Sequence, residues 1–257
     1  GNMIESAYFD TDGEPVRDKE GVMKVEAVYN NKGYISSISY VDAGGNLVPN
    51  KIGIAQVTIT YDNNNNLEKI SFKDADGAPC PIANVRLEYD ESGNQTGQFV
   101  SCLEDKLFQP AGFNWRAKYD KGNLVEKVYL NNVKEPYLNP NEGYAKYIAK
   151  YNERGRLIEL SFFDTEEKPC LNNKGYAKVS YGYDEWGNVT EILFLGVDGK
   201  PCTDSSGVAR CVMRYDERGN KIEEATFDTE GNPCLNAQGA AKMTAVCDSW
   251  GNVTEMT

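Results

Sequence analysis

The chain has 257 residues, is 40% hydrophobic and 26% charged, and carries a net charge of −12 with a pI near 4.6. That balance describes a globular protein rather than a disordered one. Its negative field disfavours nucleic acid and anionic lipid as partners, and no run of about twenty apolar residues offers membrane insertion. Histidine is absent, which removes Ser-His-Asp and Cys-His catalysis and His-based zinc sites.

In chain order, residues 2–9 read as the second strand of a hairpin without its partner. A phrase then recurs: an anchor residue, an acid or amide, two polar residues and glycine, as in Tyr29-Asn30…Gly33, Tyr89-Asp90…Gly93, Tyr151-Asn152…Gly155, Tyr183-Asp184…Gly187 and Tyr215-Asp216…Gly219. The anchors are Tyr29, Tyr61, Tyr89, Tyr119, Tyr151, Tyr183, Tyr215 and Cys247, at intervals of 32, 28, 30, 32, 32, 32 and 32 residues. A fixed period marks a repeat protein. Before each anchor, apolar residues alternate with polar ones: Ala55, Val57, Ile59, Tyr61, or Ala177, Val179, Tyr181, Tyr183. That is a strand with one buried face. After it, aspartate opens a type I turn and glycine takes the left-handed position, giving a bulged hairpin loop. A second strand follows, such as Leu157–Phe163 or Val189–Phe194, apolar on both faces and so partly covered on both sides. Residues 252–257 match it again. Between hairpins runs a loop with a Gly-x-Pro-Cys element, as at Gly77–Cys80, Gly199–Cys202 and Gly231–Cys234, and another glycine at plus 24.

One such unit cannot bury enough to stand alone. The expected fold is therefore all-β: a tandem array of stacked antiparallel β-hairpins, about eight units of roughly 32 residues, in an elongated or spiralling repeat sheet. The array is expected to run through 1–257 as one domain, irregular around 90–143, and to be a piece of a longer protein. In the irregular part the Gly-x-Pro-Cys element gives way to Phe99–Leu103 and Leu107–Pro110. This is read as drift or a bend, or as a specialised site.

Four of the seven cysteines (Cys80, Cys170, Cys202, Cys234) hold one repeat position. Equivalent positions lie two strand spacings apart, about 9.5 Å, beyond the roughly 4.4–6.8 Å a disulfide spans. They are read as a spaced ladder of small buried hydrophobes. Asp10-Thr11-Asp12-Gly13 and Asp74-Ala75-Asp76-Gly77 resemble the opening of a calcium loop but lack its remaining ligands, so Asp10, Asp12, Asp74 and Asp76 read as polar turns, with weak calcium binding as the alternative. Glu159, Glu191, Glu223 and Glu255 recur at plus 8 and read as a solvated acidic stripe, against a glycosidase-like carboxylate pair. Trp186 and Trp250 sit at hairpin tips, where they pack on a neighbouring unit or meet a sugar or protein partner.

The Tyr-Asp-x-x-Gly-Asn phrase at Tyr89, Tyr183 and Tyr215 resembles the YD repeat of RHS-type bacterial surface and toxin proteins, and hairpin repeats of the MORN type. The unit here is longer, adds the Gly-x-Pro-Cys element, and has no RHS core or toxin segment. The resemblance implies a bacterial, extracellular or cell-surface protein using hairpin arrays as shells or binding surfaces. No signal peptide is visible in the sequence.

The expected function is a non-catalytic interaction module recognising protein or carbohydrate, with Trp186, Trp250, Phe99, Phe108, Phe113 and Trp115 as binding candidates. Its rivals are a structural shell or spacer segment with no ligand of its own, and an acidic-residue hydrolase in the irregular middle. No cofactor and no metal is expected. Edge-to-edge or face-to-face self-association is open to such a sheet.

Overall fold

The structure, a computed structural model, describes residues 2–102, 114–248 and 250–256, without the side chains of residues 81–83 and 102. Phe108, Phe113 and the Leu107–Pro110 segment lie outside the described residues. The chain forms two compact units, Gly1–Arg116 and Ala117–Thr257. Among the described residues all regular structure is strand, as expected of an all-β hairpin repeat.

The first unit holds β1 (Glu5–Ala7), β2 (Lys24–Tyr29), β3 (Ile35–Val41), β4 (Gln56–Tyr61), β5 (Leu67–Lys73), β6 (Pro79–Tyr89) and β7 (Gln95–Cys102). Strand β8 (Asn114–Asp120) spans the boundary. The second unit holds β9 (Asn123–Leu130), β10 (Lys146–Tyr151), β11 (Leu157–Phe163), β12 (Lys178–Tyr183), β13 (Val189–Leu195), β14 (Arg210–Tyr215), β15 (Lys221–Phe227), β16 (Lys242–Cys247) and β17 (Val253–Met256). Within each unit, strands pair antiparallel with their chain neighbours.

The anchor phrase forms as read. Tyr29, Tyr61, Tyr89, Tyr151, Tyr183, Tyr215 and Cys247 end their strands, and a register shift of the bulge type falls at each. The anchors are half-buried rather than buried. The turn after Tyr215 shows the chemistry. Asp216 Oδ1 accepts from the amides of Arg218 and Asn220 at 3.0 and 2.8 Å, Gly219 N–H donates to the Asp216 carbonyl at 3.0 Å, and Gly219 sits at φ 84°. An Asx residue thus supplies a side-chain acceptor while glycine supplies the left-handed backbone.

The other two turns of each repeat use the same device, which the sequence reading did not recognise. Asp228 Oδ1 accepts from Glu230 and Asn232, and Asn236 Oδ1 accepts from Gln238 and Ala240. A regular repeat is therefore two strands and three copies of one turn. This explains the short 28-residue interval. Between Tyr61 and Tyr89, 28 residues apart, the third turn is missing and β6 runs unbroken for 11 residues. The hairpin after Tyr119 closes instead on Lys121 and Gly122, both at positive φ, a two-residue turn matching strand twist. That turn is one residue short, and the third turn, Asn139 to Gly143, is one residue long, so the period of 32 survives.

A regular hairpin pairs along six residues, as β12 does with β13, but successive hairpins pair along only three, as β13 does with β14. Residues opposite one another share a face, so the sheet of the second unit has an apolar face (Ala149, Leu160, Val179, Tyr181, Ile192, Phe194, Cys211) and a charged one. Over the apolar face runs a ladder of rings, Tyr144 to Phe162 at 4.7 Å, Phe162 to Tyr176 at 5.9 Å and Tyr176 to Phe194 at 4.6 Å. Tyr144 and Tyr176 come from the third turns, so the loops close over the sheet and complete the core.

Candidate functional site

Three columns of contacts join one repeat to the next. At the sheet, the anchor hydroxyl donates to a carbonyl at the start of the preceding repeat's second strand. Tyr61 reaches Ile35 at 2.9 Å, Tyr183 reaches Leu157 at 2.6 Å and Tyr215 reaches Val189 at 3.0 Å. At the loops, third turns bond main chain to main chain, Lys51 N–H to the Glu20 carbonyl, Asn173 to Glu142 and Ser205 to Lys174, at 2.7–3.0 Å. Beside them the repeat cysteines point thiols at the preceding repeat's glycine carbonyl: Cys80 to Gly53 at 3.6 Å, and Cys170, Cys202 and Cys234 to Gly143, Gly175 and Gly207 at 3.8 Å. The six described cysteines are free, and of the four only Cys80 is buried. The ladder is spaced as expected, but its members are donors in a seam between repeats, and only Cys80 is also buried as expected.

At the tips, side chains of one hairpin lie on the glycine of the next. Arg154 and Arg156 donate to the carbonyls of Glu185 and Trp186 at 2.7 and 3.0 Å, and the Arg156 guanidinium occupies the space a Cβ on Gly187 would need. The Trp186 backbone is held, while the residue as a whole is 70% exposed; Trp250 is 88% exposed. These two candidates share one edge of the second unit, two repeats apart. Phe99 is placed differently. It is 8% exposed, its ring lies between the guanidiniums of Arg86 and Arg116 at 4.9 and 5.5 Å, and it fills the space left by the missing side chain of Gly97. Trp115 is half-buried opposite Gln98. Asp10 and Asp74 act as turn openers: each Oδ1 accepts two amides, those of Asp12 and Glu14, and of Asp76 and Ala78. Among the described residues no group of three acidic or cysteine side chains converges as a metal site.

The glutamate stripe requires a correction at three of its four members: Glu159, Glu191 and Glu223 form the middle row of a mixed-charge ladder, while Glu255 is exposed as a solvated acid. Glu159 lies between Lys150 at 2.8 Å and Lys178 at 3.2 Å, Glu126 between Lys118 at 2.7 Å and Lys146 at 3.6 Å, and Glu223 between Lys242 at 2.9 Å and Arg214 at 4.0 Å. Glu191 meets Arg210 at 2.5 Å. Burial pushes the Glu159 carboxyl up, and hydrogen bonds from Lys150 and Lys178 more than reverse it, leaving it below the usual range. The hydrogen bond from Lys242 does the same for Glu223. The signal was present in the sequence, as basic residues at minus 1 and plus 27 around the glutamate at plus 8, positions that antiparallel pairing brings side by side.

No protein-family model and no curated protein matches the chain. Among solved structures, the Tc holotoxin pore of Photorhabdus luminescens is similar over 91% of this chain, with a TM-score of 0.52 and 15% identity. A TcdB2–TccC3 structure covers 98% of this chain at a TM-score of 0.48 and 15% identity. This chain spans 11% and 13% of those two chains. The likeness to the holotoxin is one of fold: a hairpin-repeat sheet of this kind occurs there as part of a much longer chain.

Proposed function

We propose that this chain is a structural segment, part of a shell or spacer built from YD-type hairpin repeats of the RHS kind, and that it is non-catalytic. The observation that carries the reading is where the repeated residues spend their chemistry. Anchor hydroxyls, repeat thiols, third-turn amides and plus-8 glutamates all bond from one repeat to the next. The fold likeness to a segment of the holotoxin supports the same reading, and with it a bacterial, extracellular setting. The depressed Glu159 and Glu223 support a non-catalytic role, since a general acid needs a raised carboxyl.

One observation favours a second reading, a binding module for protein or glycan: the exposed Trp186 and Trp250 on one edge. A glycan array and a protein pull-down, run with the wild type and with Trp186→Ala/Trp250→Ala, separate the two. A scaffold retains nothing specific on either surface. Retention by the wild type that the double variant loses would overturn the scaffold reading in favour of the module.

A further inference from the structure

The repeat that follows anchor Tyr119 holds a template for a ligand. In it, Lys146 on the charged face meets Glu126 from the ladder and also Glu167, at 2.8 Å, from the loop after β11. Glu167 takes a position where most repeats have glycine, and holds φ 62° to do so. Its carboxylate covers the lysine, whose side chain is 15% exposed.

One repeat on, Lys178 is the equivalent of Lys146, and Glu159 the equivalent of Glu126 at 3.2 Å. The loop residue equivalent to Glu167 is Gly199, at φ 75°. Glycine supplies no carboxylate for Lys178, which is 34% exposed. In place of the carboxylate there is a cavity of about 330 Å³, whose lining combines the apolar Ile148, Phe163, Pro169 and Val197 with Ser161, Gly199 and the charged Lys178, Lys150 and Glu159. That volume falls in the range of small-ligand sites, which pair apolar walls with a few placed polar groups.

We propose that this cavity binds a small carboxylate with an apolar body, such as an aryl or short-chain alkyl acid. The carboxylate sits on Lys178 as Glu167 sits on Lys146, and the body lies against Phe163, Ile148, Pro169 and Val197. A lysine already sharing one carboxylate retains two further ammonium donors, and Lys146 demonstrates that this environment accepts two carboxylates on one lysine. The apolar residues Ile148, Phe163, Pro169 and Val197 give the ligand's body a wall to lie against, beside the charged group formed by Lys150, Glu159 and Lys178. The site goes beyond a scaffold role and is independent of the hairpin tips.

The test is a titration of the full chain with phenylacetate, followed by amide NMR shifts. Saturable shifts are expected at Ser161, Val197 and Gly199, and none with phenylacetamide. Lys178→Met should weaken binding about tenfold or more, the loss of a charge-assisted bond. Gly199→Glu should abolish it by installing the internal carboxylate; Glu167 shows that a glutamate is tolerated at this turn position. Glu167→Gly should add a second saturable set of shifts around Lys146. Absence of saturable shifts in the wild type, shifts confined to the hairpin tips, or undiminished binding by Gly199→Glu would each overturn the proposal, whatever the tip variants show about the scaffold.

Discussion

Two glycines in the same repeat position show how much context adds to a turn. Gly187 and Gly219 both hold left-handed backbone, at φ 103° and 84°. Around Gly219 the nearest atom to an added Cβ is Asn188 Oδ1 at 3.9 Å, whereas at Gly187 the Arg156 guanidinium fills the space. Gly219→Val should therefore cost only backbone strain, about 1–3 kcal/mol, and Gly219→Ala less. Gly187→Ala should cost more than Gly219→Ala, because it also displaces Arg156 from the Trp186 carbonyl, a loss of about 1 kcal/mol or more. Denaturant midpoints of a double-mutant cycle check this. Arg156→Ala should shrink the penalty of Gly187→Ala and leave that of Gly219→Ala unchanged. Equal penalties in both backgrounds would mean that Arg156 does not press on the tip.

At the scale of the element, the hairpin is held to its neighbour by few strand bonds, so the anchor hydroxyl matters. Tyr215→Phe removes the donor to the Val189 carbonyl and keeps the ring. Amides at the β13–β14 seam should then exchange about fivefold faster, as expected for roughly 1 kcal/mol. Cys247 is the anchor that lacks this hydroxyl, and the spacing of 26 residues from anchor to acceptor puts the Lys221 carbonyl in reach of a tyrosine there. Cys247→Tyr should slow exchange at the β15–β16 seam by a similar factor; unchanged exchange in both variants would reduce the hydroxyl to an ornament of the tyrosine ring. The strands, the bulged turn and the repeat boundaries were legible in the sequence, because each rests on local pattern: period-two alternation up to Tyr183, Asp184 before Gly187. What joins the repeats was not. Tyr183 bonds Leu157 across 26 residues, and Lys150, Glu159 and Lys178 become neighbours only once β10, β11 and β12 pair in register. A periodic glutamate looks like an acidic stripe until the register supplies its cations. For the candidate site, the tip position of Trp186 was legible but its exposure was not, since a tip tryptophan could equally pack on the neighbouring unit, while the interior position of Phe99 depended on Arg86 and Arg116 from two other strands.

At the scale of the whole molecule, one turn repeated many times makes acid sensitivity a property of the array. Asp42, Asp90, Asp216 and Asp248 are each held below the ordinary carboxylate value of 3.8, first by the side-chain amide of the asparagine four residues on, then by turn amides. A carboxyl depressed by folding contributes stability that is fully present above its unfolded value and is lost as the pH falls through the folded one. These turns should therefore hold at neutral pH and weaken together below the ordinary carboxylate value. The ladder glutamates Glu159 and Glu223, also depressed, act in the same direction. The net charge of −12 acts in the opposite one only down to the pI near 4.6, where protonation relieves self-repulsion; below it, protonation builds positive charge instead. The two effects differ in range. Repulsion between separated surface charges is screened beyond about 8–10 Å at moderate salt, whereas each turn bond is a contact of about 3 Å. In high salt the relief is suppressed and the loss of turn bonds remains, so urea midpoints should fall steeply on acidification. Converting Asp42, Asp90, Asp216 and Asp248 to asparagine should make that fall shallower at a small cost at neutral pH. Asn152 already opens an equivalent turn as an amide, accepting from Arg154 and Arg156 at 3.0 Å. The ladder glutamates keep part of the acid limb in the variant, so a slope identical to the wild type, not merely a residual slope, is the result that would show the turn carboxylates contribute nothing to acid stability.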